Sequence, residues 1–220
     1  MIPPGLEYLT QIDQLLVQQQ KEMLEIFTGW ESQNKYKIAN TLGQPVYFST
    51  EDSNLCERQC CKNARSFTMA IVDTTGREVI SLERPLRCTS MGCCCCYSWL
   101  QEVKVYAPRG SLIGTVHENF NYCVPKYSIF NAAHDEIFRI EGDTCACACL
   151  GGNVNFEILS SATGERIGRI QKQWTGLVRE MFTDADNFGV QFPLDLDVKM
   201  KAILLGALFL IDFVYFERNG

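Results

Sequence analysis

The chain has 220 residues, enough to enclose a core as one large domain or two small ones. Its net charge of −6 and pI near 5.0 argue against a general nucleic-acid binder, whose affinity would come from a basic face. Met1-Ile2-Pro3-Pro4-Gly5 lacks the basic region and apolar core of a secretory signal, so the expected home is the reducing cytosol.

After Pro3-Pro4-Gly5, Leu6, Leu9, Ile12, Leu15 and Leu16 recur at helical intervals. Residues 1–22 read as a short helical lead-in, with Leu15 to Val17 equally able to begin a strand. Residues 23–30 are apolar and aromatic enough for a strand. One turn pattern then repeats: a small or polar residue, two variable residues, glycine, two more, and a β-branched residue. It surrounds Gly43, Gly76, Gly110 and Gly164, and His134 stands in the glycine's place between Asn131 and Ile137. Glycine supplies the positive φ of such a turn, and histidine tolerates it. Alternating segments flank each turn, which predicts five hairpins: 35–40 with 45–50, 66–73 with 78–84, 100–106 with 112–118, 126–130 with 135–141, and 154–160 with 165–172. With 23–30 and 188–192 the count is about twelve strands. An antiparallel sheet of that size closes on itself, so the fold class is mainly β, one closed barrel domain over residues 1–220.

The barrel needs a filler, and residues 198–216 supply one. Asp195 and Asp197 are both N-cap candidates for this helix, and no polar stripe runs along it. A span needs roughly 18 uncharged apolar residues, and Lys199, Lys201 and Asp212 interrupt this run. The helix is therefore expected inside the barrel, its N-terminus at the hairpin tips and Asp212 toward the opposite pole. The twelve cysteines all fall in connectors between hairpins, 51–65, 85–99, 119–125 and 142–153, which an up-and-down meander gathers at that opposite pole. Thiolates of Cys56, Cys60, Cys61, Cys88, Cys145, Cys147 and Cys149 can converge there on zinc; the alternative is a set of free, partly buried thiols. His117 and His134 are the only histidines, neither sits beside a plausible nucleophile, and there is no Walker-type loop. The chain is not read as an enzyme in the hydrolytic or group-transfer sense.

Pro3-Pro4-Gly5-Leu6-Glu7-Tyr8-Leu9, Arg84-Pro85-Leu86-Arg87-Cys88, Thr183-Asp184-Ala185-Asp186-Asn187-Phe188-Gly189 and Gln191-Phe192-Pro193-Leu194-Asp195-Leu196-Asp197-Val198 resemble the phospholipid scramblases along nearly the whole chain. The resemblance implies a Tubby-like barrel around a hydrophobic helix, calcium responsiveness, palmitoylation of a cysteine cluster, and bidirectional movement of phospholipids between leaflets. The proline-rich tail usual in that family does not precede Pro3, and the cysteine run is unbroken by proline. Acylation of Cys93, Cys94, Cys95 and Cys96 would fix the thiol pole to the cytosolic leaflet, two chains being needed for stable attachment.

For calcium, Asp184 to Asp195 aligns with a twelve-residue loop: Asp184 first, Asp186 third, Asn187 beside it, Gly189 sixth and Asp195 twelfth. Phe188 and Phe192 give no side-chain oxygen, so the expected affinity is weak. The competing reading is a polar turn, then a barrel strand, then a helix cap. Gly168 to Leu177 resembles the family's nuclear import signal, with Arg169, Lys172 and Trp174 as its recognisable residues; the alternative is a strand end with Trp174 in the core. The implied partners are a phospholipid membrane, an importin and signalling proteins, and a spanning helix would need a homo-oligomer to build a headgroup path. Two functions remain: a lipid translocator at the cytoplasmic face of the plasma or another membrane, or a β-barrel module that binds lipids or proteins and moves between cytoplasm and nucleus.

Overall fold

The structure, a computed structural model, describes residues 2–20, 34–61, 64–87, 100–121, 124–142, 155–172 and 187–216. In three of the five hairpin turns one side chain organises the backbone. Asn131 Oδ1 accepts from the amides of Ala133 and Asp135 at 2.9 Å while its carbonyl accepts from His134 N at 3.0 Å. Asn40 and Asp73 repeat this arrangement. The residue three positions on then enters the left-handed region: Gly43 at φ 75, Gly76 at φ 81 and His134 at φ 68.

The hairpins are β2 (Lys35–Ala39) with β3 (Pro45–Asp52), β4 (Phe67–Asp73) with β5 (Glu78–Arg84), and β6 (Glu102–Ala107) with β7 (Ser111–Asn119). Then follow β8 (Lys126–Asn131) with β9 (Glu136–Gly142), and β10 (Asn155–Ser160) with β11 (Arg166–Lys172). Each pairs antiparallel with the next, and β12 (Asn187–Gln191) follows β11.

Closure differs from the expectation. The strand between β12 and β2 is β1, Gln14–Gln20, and residues 23–30 lie outside the described residues. The lead-in is thus a 3-10 helix, Glu7–Gln11, followed by a barrel strand. Leu15 and Val17 point inward with period two, and pairing Gln14 with Gln191 through Gln18 with Asn187 leaves neither neighbour with an open edge.

The barrel encloses α2 (Val198–Ile211), whose residues are buried from Lys201 onward and which continues through a π-helical turn, Asp212–Phe216. Asp197, not Asp195, is the N-cap: its Oδ1 accepts from Lys199 N at 2.9 Å, which only the residue immediately before the first turn is placed to do. Helix and wall approach closely where side chains are absent. A Cβ on Gly206 would stand 2.7 Å from Val105 Cγ2, and one on Gly114 would overlap Ile203 Cδ1 and the Phe130 carbonyl. The Lys201 ammonium is fully buried and donates to the carbonyls of Leu9, Ile12 and Leu194 at 2.8, 2.8 and 2.7 Å. It ties the helix start to the 3-10 helix and to the loop after β12. Outside, the wall carries exposed ion pairs such as Lys126–Glu141 and Arg166–Glu157, each 3.0 Å.

Candidate functional site

The pole opposite the hairpin tips is built from strand ends whose inward positions turn polar. In β3 the inward series Tyr47, Ser49 ends on Glu51; in β5, Ile80, Leu82 ends on Arg84. Arg65 precedes inward Phe67 and Met69, and Gln101 precedes inward Val103 and Val105. Strand alternation therefore puts Glu51, Arg65, Arg84 and Gln101 inside, at one level, beneath the end of α2.

They pair there. Glu51 takes a two-pronged contact from Arg65, Nε to Oε1 at 2.6 Å and Nη2 to Oε2 at 2.9 Å, and its Oε2 accepts from Asn34 N at 3.2 Å. Arg84 donates to Gln101 Oε1 from Nε and Nη2 at 3.1 and 2.6 Å. Phe213, just past α2, stacks on Phe67 at 4.4 Å, with the Arg65 guanidinium 4.6 Å from its ring centre. Asp212 Oδ2 accepts from Tyr36 at 3.0 Å. A buried ion pair earns little net stability, but removing one partner leaves a costly charge, so this layer fixes where the helix ends and the connectors begin.

The layer also staples the connectors. Gln101 Nε2 donates to the Arg87 carbonyl at 3.2 Å, Arg87 Nη1 donates to the Leu100 carbonyl, and Arg87 Nη2 meets Glu102 Oε2 at 2.8 Å. Residues 87 and 100, the two stems of the segment carrying Cys88 and Cys93–Cys96, are thereby held side by side. Sequence reasoning quoted Arg84 and Arg87 without a role and passed over Glu51, Arg65 and Gln101. The available signal was a charged or amide residue at inward parity.

Of the candidate ligands, Cys56, Cys60 and Cys61 lie on α1 (Leu55–Cys61) at this pole, the first two exposed and the third half-buried. Cys56 and Cys60 are one turn apart and share a face; Cys61 turns away from it. Cys88, Cys93–Cys96, Cys123, Cys145, Cys147 and Cys149 lie outside the described residues, as do Asp184, Asp186 and Trp174. Among the described residues no three His, Cys, Asp or Glu side chains stand close enough to hold a metal ion. Those present do not fit a zinc tetrahedron by themselves. Nor do they form an oxygen cage: Asn187–Gln191 is a strand paired on both sides, spanning about 13 Å, with Asn187 toward the connector pole and Asp195 beyond its tip end. Arg169 faces outward on β11, where its Nε donates to Gln191 Oε1 at 3.2 Å, and Lys172 ends that strand.

A family model described as Scramblase matches residues 1–218. Phospholipid scramblase 1 of Homo sapiens is 54% identical over 99% of this chain and 67% of its own length. Phospholipid scramblase 2 of Bos taurus is 55% identical over 99% and 73% respectively, and phospholipid scramblase family member 5 of Homo sapiens 45% over 99% and 79%. Against the first of these the chain spans about two thirds of the relative's length. A solved Arabidopsis thaliana protein covers 96% of this chain and 99% of its own, at TM-score 0.48 and 11% identity.

Proposed function

The chain belongs to the scramblase family, and from that membership we propose that it mediates or regulates bidirectional, ATP-independent movement of phospholipids, held to the cytosolic leaflet by its connector pole. The observation that shapes this reading is the enclosure of the apolar helix. Among the described residues no helix is long and apolar enough to cross a membrane. Scrambling requires a polar path for headgroups across about 30 Å of hydrocarbon, and here the barrel interior between its two polar ends is apolar and occupied by α2. The wall is also inverted relative to a spanning barrel, because its charges face outward, where lipid would be; a basic residue on the lipid face costs about 2–4 kcal/mol at the bilayer midplane.

Membrane attachment is thus assigned to acyl chains on Cys93–Cys96, in the segment that the stapled stems flank, and the lipid path to an oligomer of such barrels. Calcium is read as a weak, millimolar-class response involving Asp184, Asp186 and Asn187, from which Asp195 is set apart by the length of β12, and zinc as bound by thiols drawn from several connectors. The test is liposome exchange of fluorescent phospholipids with millimolar calcium, using acylated and unacylated protein, alongside hydrogen exchange of α2. The expected result is lipid movement only with acylated protein, the helix equally protected with and without liposomes. Lipid exchange by unacylated protein with loss of helix protection would overturn the reading.

Helix enclosure equally favours a second reading, a β-barrel module that binds lipid surfaces or proteins and enters the nucleus with an importin through Arg169, Lys172 and Trp174. Acylated protein that binds liposomes without moving lipid, together with importin capture lost in Arg169→Ala, would select it.

A further inference from the structure

The chain's only two histidines meet on the outer wall. His117 projects outward from β7, paired across to Ser128, and His134 occupies the β8–β9 tip. Their ring centres are 6.4 Å apart, and Phe130 packs against both, stacked on His134 at 4.9 Å and edge-on to His117 at 5.2 Å. The corresponding position in the other four hairpins is Gly43, Gly76, Gly110 or Gly164, all at positive φ. At that position only this tip sets a side chain, an imidazole facing the other imidazole; the β6–β7 tip has its left-handed side chain one residue before the glycine, at Arg109 with φ 69. A residue held in a sparsely populated conformation that glycine fills freely points to a use for its side chain.

We propose that His117 and His134 together bind one borderline divalent transition cation such as zinc, with water completing its coordination. An ion bound at about 2.0–2.1 Å by each of two imidazoles sets their ring centres roughly 5–6 Å apart, so a small rotation about the side-chain bonds closes the observed gap. The Glu102 carboxylate lies 3.8 Å from His117 Nδ1, too far for a hydrogen bond but near enough to face that nitrogen, which leaves Nε2 for the metal. Arg87, paired to the same carboxylate oxygen, and Glu102 offset each other's charge beside the site. No third His, Cys, Asp or Glu among the described residues joins them, so the site is open to solvent and weaker than a four-ligand structural zinc. It shares no residue with the thiols of the connector pole.

Histidine-selective NMR of the reduced full chain tests this directly, because two histidines give two sets of imidazole signals and thiols that take up zinc do not obscure them. On titration with zinc chloride, both sets are expected to move together and saturate at one common affinity. In His134→Gly the turn keeps its backbone and the response of the His117 signals to zinc weakens by about tenfold or more; His117→Gln does the same to His134. Imidazoles unmoved by millimolar zinc, signals that titrate at separate affinities, or a His117 response undiminished in His134→Gly would each overturn the proposal.

Discussion

At Lys201 one side chain holds three stretches of backbone. Its ammonium spends all three protons on the carbonyls of Leu9, Ile12 and Leu194, and burial lowers its pKa from the ordinary value. Lys201→Met keeps the length and apolar stem but strands three acceptors. Such a loss costs about 1–3 kcal/mol per buried group left unsatisfied, so we expect at least a 2 kcal/mol fall, by the order of that range, in urea unfolding. Titration matters at His117. Burial holds this imidazole below 6.5, His134 and Arg87 act in the same direction, and Glu102 opposes them. Between the folded value and 6.5 the unfolded chain binds more protons, so stability rises with pH there. The contribution is complete above 6.5 and disappears as pH falls through the folded value. In chelator-treated buffer the urea midpoint should fall from neutral pH toward pH 5, about two units below neutrality, and His117→Gln should flatten that component.

Helix and wall are fitted to each other through missing side chains. Gly114→Ala would drive a methyl into the Phe130 carbonyl and Ile203, and since backbone cannot rotate away, about 1–3 kcal/mol of destabilisation follows; calorimetry would show it as a lowered Tm. Elements were legible in the sequence wherever one residue carries its own geometry. Asn40, Asp73 and Asn131 organise three turns through bonds within four residues, and Gly110 and Gly164 mark the other two, so five hairpins could be read without the fold. What closes the barrel was not legible. Gln14–Gln20 is glutamine-rich, its apolar positions also fit a helical period, and its strand state depends on β12, whose partner residues lie at the far end of the chain. Asp195 and Asp197 offered equal carboxylates, and only the local φ and ψ chose between them. At the candidate site the parity that sends Glu51 and Arg84 inward was visible, but that they reach one level needed the barrel's closure.

At the largest scale an apolar helix sits inside a barrel whose inward charges are confined to its ends, and this arrangement assigns the energy of the helix to folding, not to insertion. Phe209 makes the distinction measurable. It is fully buried, edge-on to Tyr36 at 5.0 Å, and Tyr36 in turn donates to Asp212 at the pole. If α2 belongs in the barrel, Phe209→Ala leaves a cavity at its centre and lowers the unfolding free energy by about 3–5 kcal/mol with no lipid present. It should also loosen the pole, since Tyr36 loses the ring that positions it, so hydrogen exchange should accelerate in β2 near Tyr36 as well as in α2. If the helix instead belonged in lipid, the lipid-free barrel would not depend on it. Phe209→Ala would then leave the urea midpoint and β2 protection unchanged, and enclosure could no longer explain why this apolar run carries Lys201 and Asp212 near its ends.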